Sequence, residues 1–208
     1  MKIIFWNVDT QYDFMRPDGK LYVQGAEQIE GNLERLTKLA AENKLVVVNS
    51  ADWHDKDSKE ISDKPDFITK FPEHCMSKTK GAEFVPATNP ENSYKVDWKQ
   101  RQLDAGTLME KRNITIYKDK FDVFQGNHYA DRIVGIIAPE RAIVYGVATN
   151  VCVNYAVNGL LERDVKVYVP LDAIKELPGL QLPYDNWQRK GAILTTTEDI
   201  HKILGGKR

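Results

Sequence analysis

The chain has very little cysteine: two residues, Cys75 and Cys152, in 208. Two distant cysteines make no disulfide framework, so a reduced, cytoplasmic protein is the expectation. It also has no excess of charge of one sign. With 29 basic and 30 acidic residues interspersed, the formal net charge is −1, which offers no electrostatic footprint for nucleic acid or an anionic membrane. No apolar run is long enough to span a bilayer. Met1-Lys2 leads into only a short stretch, Ile3 to Val8, before Asp9 interrupts it, which is not the pattern of a secretory signal. Internal repeats and low-complexity tracts are missing too, and the final Gly-Gly-Lys-Arg at 205–208 reads as a frayed terminus. What remains is a globular pattern, 42% hydrophobic, of a length that suits one domain over 1–208 with a substantial core.

What is present is an alternation of strands and helices. Ile3 to Val8 is a nearly continuous apolar run, typical of a strand covered on both faces. Ile29, Leu33, Leu36 and Ala40 recur at helical spacing, which predicts an amphipathic helix over about 26–43. Further strands are predicted at 45–48, 114–117, 142–147, 165–169 and 192–196. Helices are predicted around Tyr129 to Ile137, after Cys152, over 171–177 and over 198–204. Residues 55–113 differ: they are polar, carry Pro65, Pro72, Pro86 and Pro90, and show only a weak helical signal within 98–111. A long loop or insert of this kind usually carries function or folds over a site. The expected architecture is α/β, a three-layer αβα sandwich around a six-stranded, mostly parallel, Rossmann-like sheet.

In such sheets the site lies outside the carboxyl ends of the strands. Polar, chemically able residues fall just past strand ends four times: Asp9, then Asp52 and His54, then Lys118, then Cys152. Cys152 is placed where a buried strand gives way to the first turn of a helix. Unpaired N–H groups and the helix dipole there favour a thiolate, although the same position also suits a small buried hydrophobe. Asp9, directly after a buried strand, is a candidate for proton transfer with a thiol or a turn-capping aspartate. Lys118 could favour a thiolate, with Lys120 as its rival. Asp52-x-His54 points two ligand types to one side of an extended segment. With His74 it suggests a site for one divalent metal, zinc first, with manganese or iron(II) as alternatives; Glu60 is a candidate fourth ligand. His128 and His201 read as structural or solvated, Cys75 as an inert packed thiol, and Asp13 as a loop-holding residue. Phe14 and Phe71 lie in loops that should border the site, where aromatic rings can clamp a flat substrate.

Four stretches carry a resemblance: V-D-T-Q-Y-D-F at 8–14, D-W-H at 52–54 with F-P-E-H-C at 71–75, Y-K-D-K-F-D-V-F at 117–124, and Y-G-V-A-T-N-V-C-V at 145–153. Together they resemble the isochorismatase-like cysteine hydrolases, and within them the nicotinamidases. The resemblance implies a triad of Asp9, Lys118 and Cys152, and a cis peptide between Val147 and Ala148 at the substrate. It further implies an oxyanion hole from the Ala148 and Cys152 N–H groups, and a metal on Asp52, His54 and His74 that binds a pyridine nitrogen while Phe14 and Phe71 sandwich the ring. Phe71-Pro72-Glu73-His74 stands where the family often has Trp-Pro-Pro-His, and Glu60 stands in for a further histidine. The activity implied is hydrolysis of nicotinamide to nicotinate and ammonia through a cysteine thioester, feeding NAD salvage. The partner is then a small-molecule amide, and a homo-oligomer is expected. Another amidohydrolase or isochorismatase-type hydrolase on the same fold, and a non-catalytic binding protein, are the alternative readings.

Overall fold

The computed structural model describes residues 2–204; the expected frayed terminus at 205–208 lies outside them. In chain order the elements are β1 (Ile3–Val8), α1 (Tyr12–Met15), α2 (Glu30–Glu42), β2 (Val46–Asp52), β3 (Tyr94–Val96), α3 (Ala105–Glu110), β4 (Asn113–Lys118) and α4 (Val123–Gly126). There follow α5 (Ala130–Ile137), β5 (Arg141–Val147), α6 (Cys152–Leu161), β6 (Lys166–Pro170), β7 (Ile174–Lys175), α7 (Tyr184–Arg189), β8 (Ile193–Thr195) and α8 (Ile200–Ile203). The sheet runs β3-β4-β2-β1-β5-β6-β8, with β7 beside the end of β5. Each strand pair among the described residues is parallel.

Alternation along the strands divides the core between the two faces. On β1, Ile4, Trp6 and Val8 enter the cluster that holds Ile133 of α5, Val153 and Val157 of α6 and Trp187 of α7. Ile3 and Phe5 enter the opposite cluster with Leu33, Leu36 and Ala40 of α2 and Ile200 of α8. Helices thus cover both faces, which is why the central strands read as unbroken apolar runs. Each fully buried leucine of α2 contributes about 1.5–3 kcal/mol by leaving water.

All six predicted strands are present, and the sheet has eight because β3 and β7 are added. β3 arises from the 55–113 segment. It pairs with β4 from Tyr94↔Ile114 to Val96↔Ile116 and, with buried Val96, Leu103 and Leu108, covers what would otherwise be the bare edge of β4. The helix predicted over 171–177 is instead a 3-10 turn at Leu171–Ala173 followed by β7. Asp172 Oδ1 accepts from the Thr197 N–H at 2.8 Å and its hydroxyl at 3.0 Å, and Ile174 and Lys175 pair with Gly146 and Val147. Tertiary partners outweigh a weak local helical pattern there. The last helix is a single turn, shorter than the 198–204 expected.

Register brings the strand ends together. Val8 faces Ser50 of β2 and Gly146 of β5, and Asp52 faces Lys118. Gly146 is required by this closeness: it has φ +120, and a Cβ there would stand 2.1 Å from the Val8 carbonyl oxygen. The chain proceeds from β1 to one side of the sheet and returns through β5 on the other. The carboxyl ends of β1 and β5 therefore flank the crevice where such folds place their sites.

Candidate active site

Asp9, Lys118 and Cys152 meet in this crevice and are buried. Asp9 adopts a left-handed backbone, φ 49, and its N–H donates to the Ser50 carbonyl at 3.1 Å. Its carboxylate accepts the Ser50 hydroxyl on Oδ1 at 2.8 Å and pairs through Oδ2 with Lys118 Nζ at 2.9 Å. The Lys118 ammonium also donates to Asp52 Oδ1 and stands 3.8 Å from Cys152 Sγ. Lys120, its rival in the sequence, is exposed. Burial opposes the charge on Lys118, but the carboxylates of Asp52 and Asp9 hold its ammonium well above the ordinary lysine range. Burial raises Asp9 above the usual carboxylate range although Lys118 pulls it down.

The thiol departs from the sequence expectation. Cys152 does open α6, yet burial pushes it well above the usual thiol range, with Asp9 and Asp52 adding to burial and Lys118 opposing. The surroundings of Cys152 therefore favour its neutral form over the thiolate.

The turn ahead of the cysteine contains the cis peptide Val147-Ala148, as the resemblance implied. Its backbone bonds are donated by Thr149, Val151 and Val153. Among the described residues none of these is donated by Ala148 or Cys152.

Beside the triad lies a second buried group. Asp52, His54 and His74 each offer one ligand atom, all within 4.8 Å of one another. Asp52 Oδ2 is 3.7 Å from His54 Nε2 and 3.6 Å from His74 Nε2. His74 Nδ1–H donates to the Pro72 carbonyl at 2.8 Å, and in the neutral ring this places the lone pair on Nε2. Both imidazole Nε2 atoms are buried and have no hydrogen-bond partner. Orphaned lone pairs converging on a carboxylate oxygen fit a divalent ion with nitrogen and oxygen ligands. Asp52 is stretched between the two groups, one oxygen on Lys118 and the other toward the imidazoles. Burial works against its charge, but the Lys118 ammonium and the histidines hold its carboxyl well below the usual range. Burial opposes a charge on His74 as well, and Asp52 raises it above the usual value.

Glu60 is not part of this donor group. Burial together with the Asp52 charge pushes its carboxyl up to about 7, and Oε2 is buried without a partner. Cys75 is buried, its thiol raised well above the usual range by burial, and its backbone N–H donates to Asp13 Oδ2 at 2.7 Å, so Asp13 does hold the loop. His128 and His201 are exposed and away from the site.

A narrow pocket leads to Cys152. Phe14, Phe71 and Val147 line it, together with Leu21, Val23, Phe121, Val151 and Leu177, and Asp52, His74 and Ala148 also border it. Phe14 and Phe71 flank His74, with ring centroids at 5.6 and 6.1 Å. Leu21, Val23, Phe121, Val151 and Leu177 were not singled out in the sequence, nor was Ser50. They lie in loops or in mid-strand, and no local pattern marks a side chain that meets the site only through tertiary folding. Gln11 carried a faint signal as the polar neighbour of Asp9. It is buried, accepts the Asp52 N–H at 2.8 Å and donates to the Asp52 carbonyl at 2.7 Å and the Ala82 carbonyl at 3.0 Å.

A buried cysteine, a carboxylate and a lysine thus meet at the carboxyl ends of a parallel sheet, next to a cis peptide. In comparison with known proteins, residues 107–199 match the family model of the isochorismatase domain, and the fold is that of the isochorismatase-like hydrolases. The chain is similar to an isochorismatase family protein from Desulfovibrio vulgaris, at TM-score 0.77 and 19% identity over 99% of each chain. It is similar to the pyrazinamidase of Pyrococcus horikoshii in complex with zinc, at 0.73 and 22% over 94% of this chain and 99% of that one. N-carbamoylsarcosine amidase from Thermoplasma acidophilum aligns at 0.72 and 19% over 95% and 98%. No curated protein matches the sequence.

Proposed function

We propose that this protein is a nicotinamidase, hydrolysing nicotinamide to nicotinate and ammonia in NAD salvage. One observation carries the reading. The Asp52, His54 and His74 donor group lies beside an apolar slot between Phe14 and Phe71 that leads to Cys152. Such a slot accepts a flat, neutral ring, and an ion on the three donors, zinc by their chemistry, would supply a fixed Lewis-acidic anchor for a ring nitrogen.

The pocket also favours this amide over the substrate of the carbamoyl amidase. N-carbamoylsarcosine bears a carboxylate, and no arginine or lysine is among the pocket's lining residues. A buried carboxylate without a cationic partner is costly.

The chain's own residues then perform acyl transfer. Asp9 takes the Cys152 thiol proton, and Sγ attacks the carboxamide carbon. The Ala148 and Cys152 N–H groups receive the oxyanion; losing one such donor costs about 10²–10³ in rate. Asp9 returns the proton to the departing ammonia, leaving a thioester. Asp9 next deprotonates a water, whose oxygen attacks the thioester carbon; the C–S bond breaks, nicotinate is freed, and Asp9 returns the proton to the Cys152 thiolate. Lys118, paired with Asp9 Oδ2, holds the carboxyl in place and favours its charged form whenever it must act as base.

Cys152→Ala should abolish ammonia release from nicotinamide while the amide still binds. Ammonia release at the wild-type rate would overturn the reading. Hydrolysis of N-carbamoylsarcosine in preference to nicotinamide and pyrazinamide would assign another amidohydrolase.

A further inference from the structure

Asn150 stands in the turn between the oxyanion-binding peptide and Cys152, and the mechanism above gives it nothing to do. Its side chain is nevertheless fully engaged. Oδ1 accepts the Leu177 N–H at 3.0 Å, and Nδ2 donates to the Leu177 carbonyl at 2.9 Å and the Leu180 carbonyl at 3.4 Å. An amide that takes both the N–H and the C=O of one residue copies a rung of a strand ladder.

That rung extends a zipper begun lower down. β7 pairs with β5 at Gly146↔Ile174 and Val147↔Lys175. The Thr149 N–H then donates to the Lys175 carbonyl at 2.8 Å, and Asn150 takes Leu177. Beyond this point residues 176–183 have neither strand nor helix, and Leu180 and Leu182 are exposed. Leu177 itself lines the pocket. Among the described residues, Asn150 supplies every hydrogen bond recorded for the Leu177 backbone.

We propose that Asn150 is a positioning residue that fixes the width of the pocket by clamping Leu177 into its wall, so that access to Cys152 is restricted to small, flat molecules. The kinetic part of the test rests on the nicotinamidase reading; the labelling part does not. Cys152 is alkylated with iodoacetamide, which is small, and with N-phenylmaleimide, which is bulky, and its modification is followed by peptide mass mapping to exclude Cys75. In Asn150→Ala and in Leu177→Ala the bulky-to-small rate ratio should rise severalfold, and the double variant should equal Leu177→Ala alone. With nicotinamide, both single variants should raise KM about tenfold, the lower end of what one apolar contact in a pocket decides, with kcat changing by less. If Asn150→Ala does not fold, Asn150→Ser, too short to span both Leu177 groups, replaces it.

An unchanged alkylation ratio in Asn150→Ala overturns the proposal. So does a double variant whose effects are the sum of the two singles, because Asn150 would then act other than through Leu177. A rise in the ratio without nicotinamide turnover by the wild type would overturn the nicotinamidase reading and leave the clamp standing.

Discussion

A thiol whose ionisation is disfavoured by burial needs a base, and Asp9 is the carboxylate that shares the Lys118 ammonium with it. The same burial that raises Cys152 raises Asp9, so proton transfer between them is less uphill than between a thiol and a solvated aspartate. Glu60 is the residue whose titration can be read most directly. Its carboxyl is pushed from the ordinary 4.5 up to about 7. The folded state therefore favours the neutral form, and the stability this contributes is full below pH 4.5 and lost as pH rises through 7. In metal-free protein, Glu60→Gln should match the wild type in thermal melts at pH 4 and exceed it at pH 8. A gain of about 1 kcal/mol is expected after discounting for its partial exposure. Equal melting at both pH values would show that Glu60 buries no uncompensated charge. At this scale Asp9, Asp52, His54, Lys118 and Cys152 were legible because each lies at or just past a strand end, and His74 only as a loop histidine that could complete the Asp52-x-His54 pair. Ser50 was not, since a serine inside a strand looks the same whether or not an aspartate awaits it on the next strand.

The element that does most to assemble the site is the single turn α1 with the residue before it. Gln11 closes on the Asp52 peptide from both sides and reaches Ala82, and Asp13 receives the Cys75 N–H next to His74. One turn thus connects the end of β1, the end of β2 and the loop that carries the third metal donor. Gln11→Ala would leave three buried backbone groups without partners, at about 1–3 kcal/mol each before relaxation. A loss of about 3 kcal/mol in denaturant melts is expected, with zinc affinity lowered about 10–100-fold, as for other residues that orient metal ligands. Wild-type affinity in a destabilised variant would restrict Gln11 to a structural role. The central strands were readable as elements because burial on both faces writes them as apolar runs. β3 and β7 were not: they have three and two residues, too few for a period, and their pairing is set by the neighbour they extend.

Across the whole molecule, the parallel sheet was recoverable from the alternation of elements, whereas the pocket was not. Its walls come from six separate parts of the chain, around residues 14–23, 52, 71–74, 121, 147–152 and 177, and only the folded sheet brings them together. Metal binding should be visible at this scale. An ion that binds the folded state alone, at a free concentration a hundred times its Kd, stabilises by about 2.7 kcal/mol, or about 5–10 °C in Tm for a chain of this size. Zinc should produce such a shift, reversed by chelator and erased in Asp52→Asn; an unshifted wild type would remove the metal from the proposal. Asp52 gives this a further consequence, since one of its oxygens faces the metal donors and the other holds the lysine beside the thiol. Ion and thiol therefore share a thermodynamic cycle, and reciprocity is obligatory: by whatever factor a bound ion alters the affinity of Cys152 for a reversible thiol ligand, that ligand alters the affinity for the ion by the same factor.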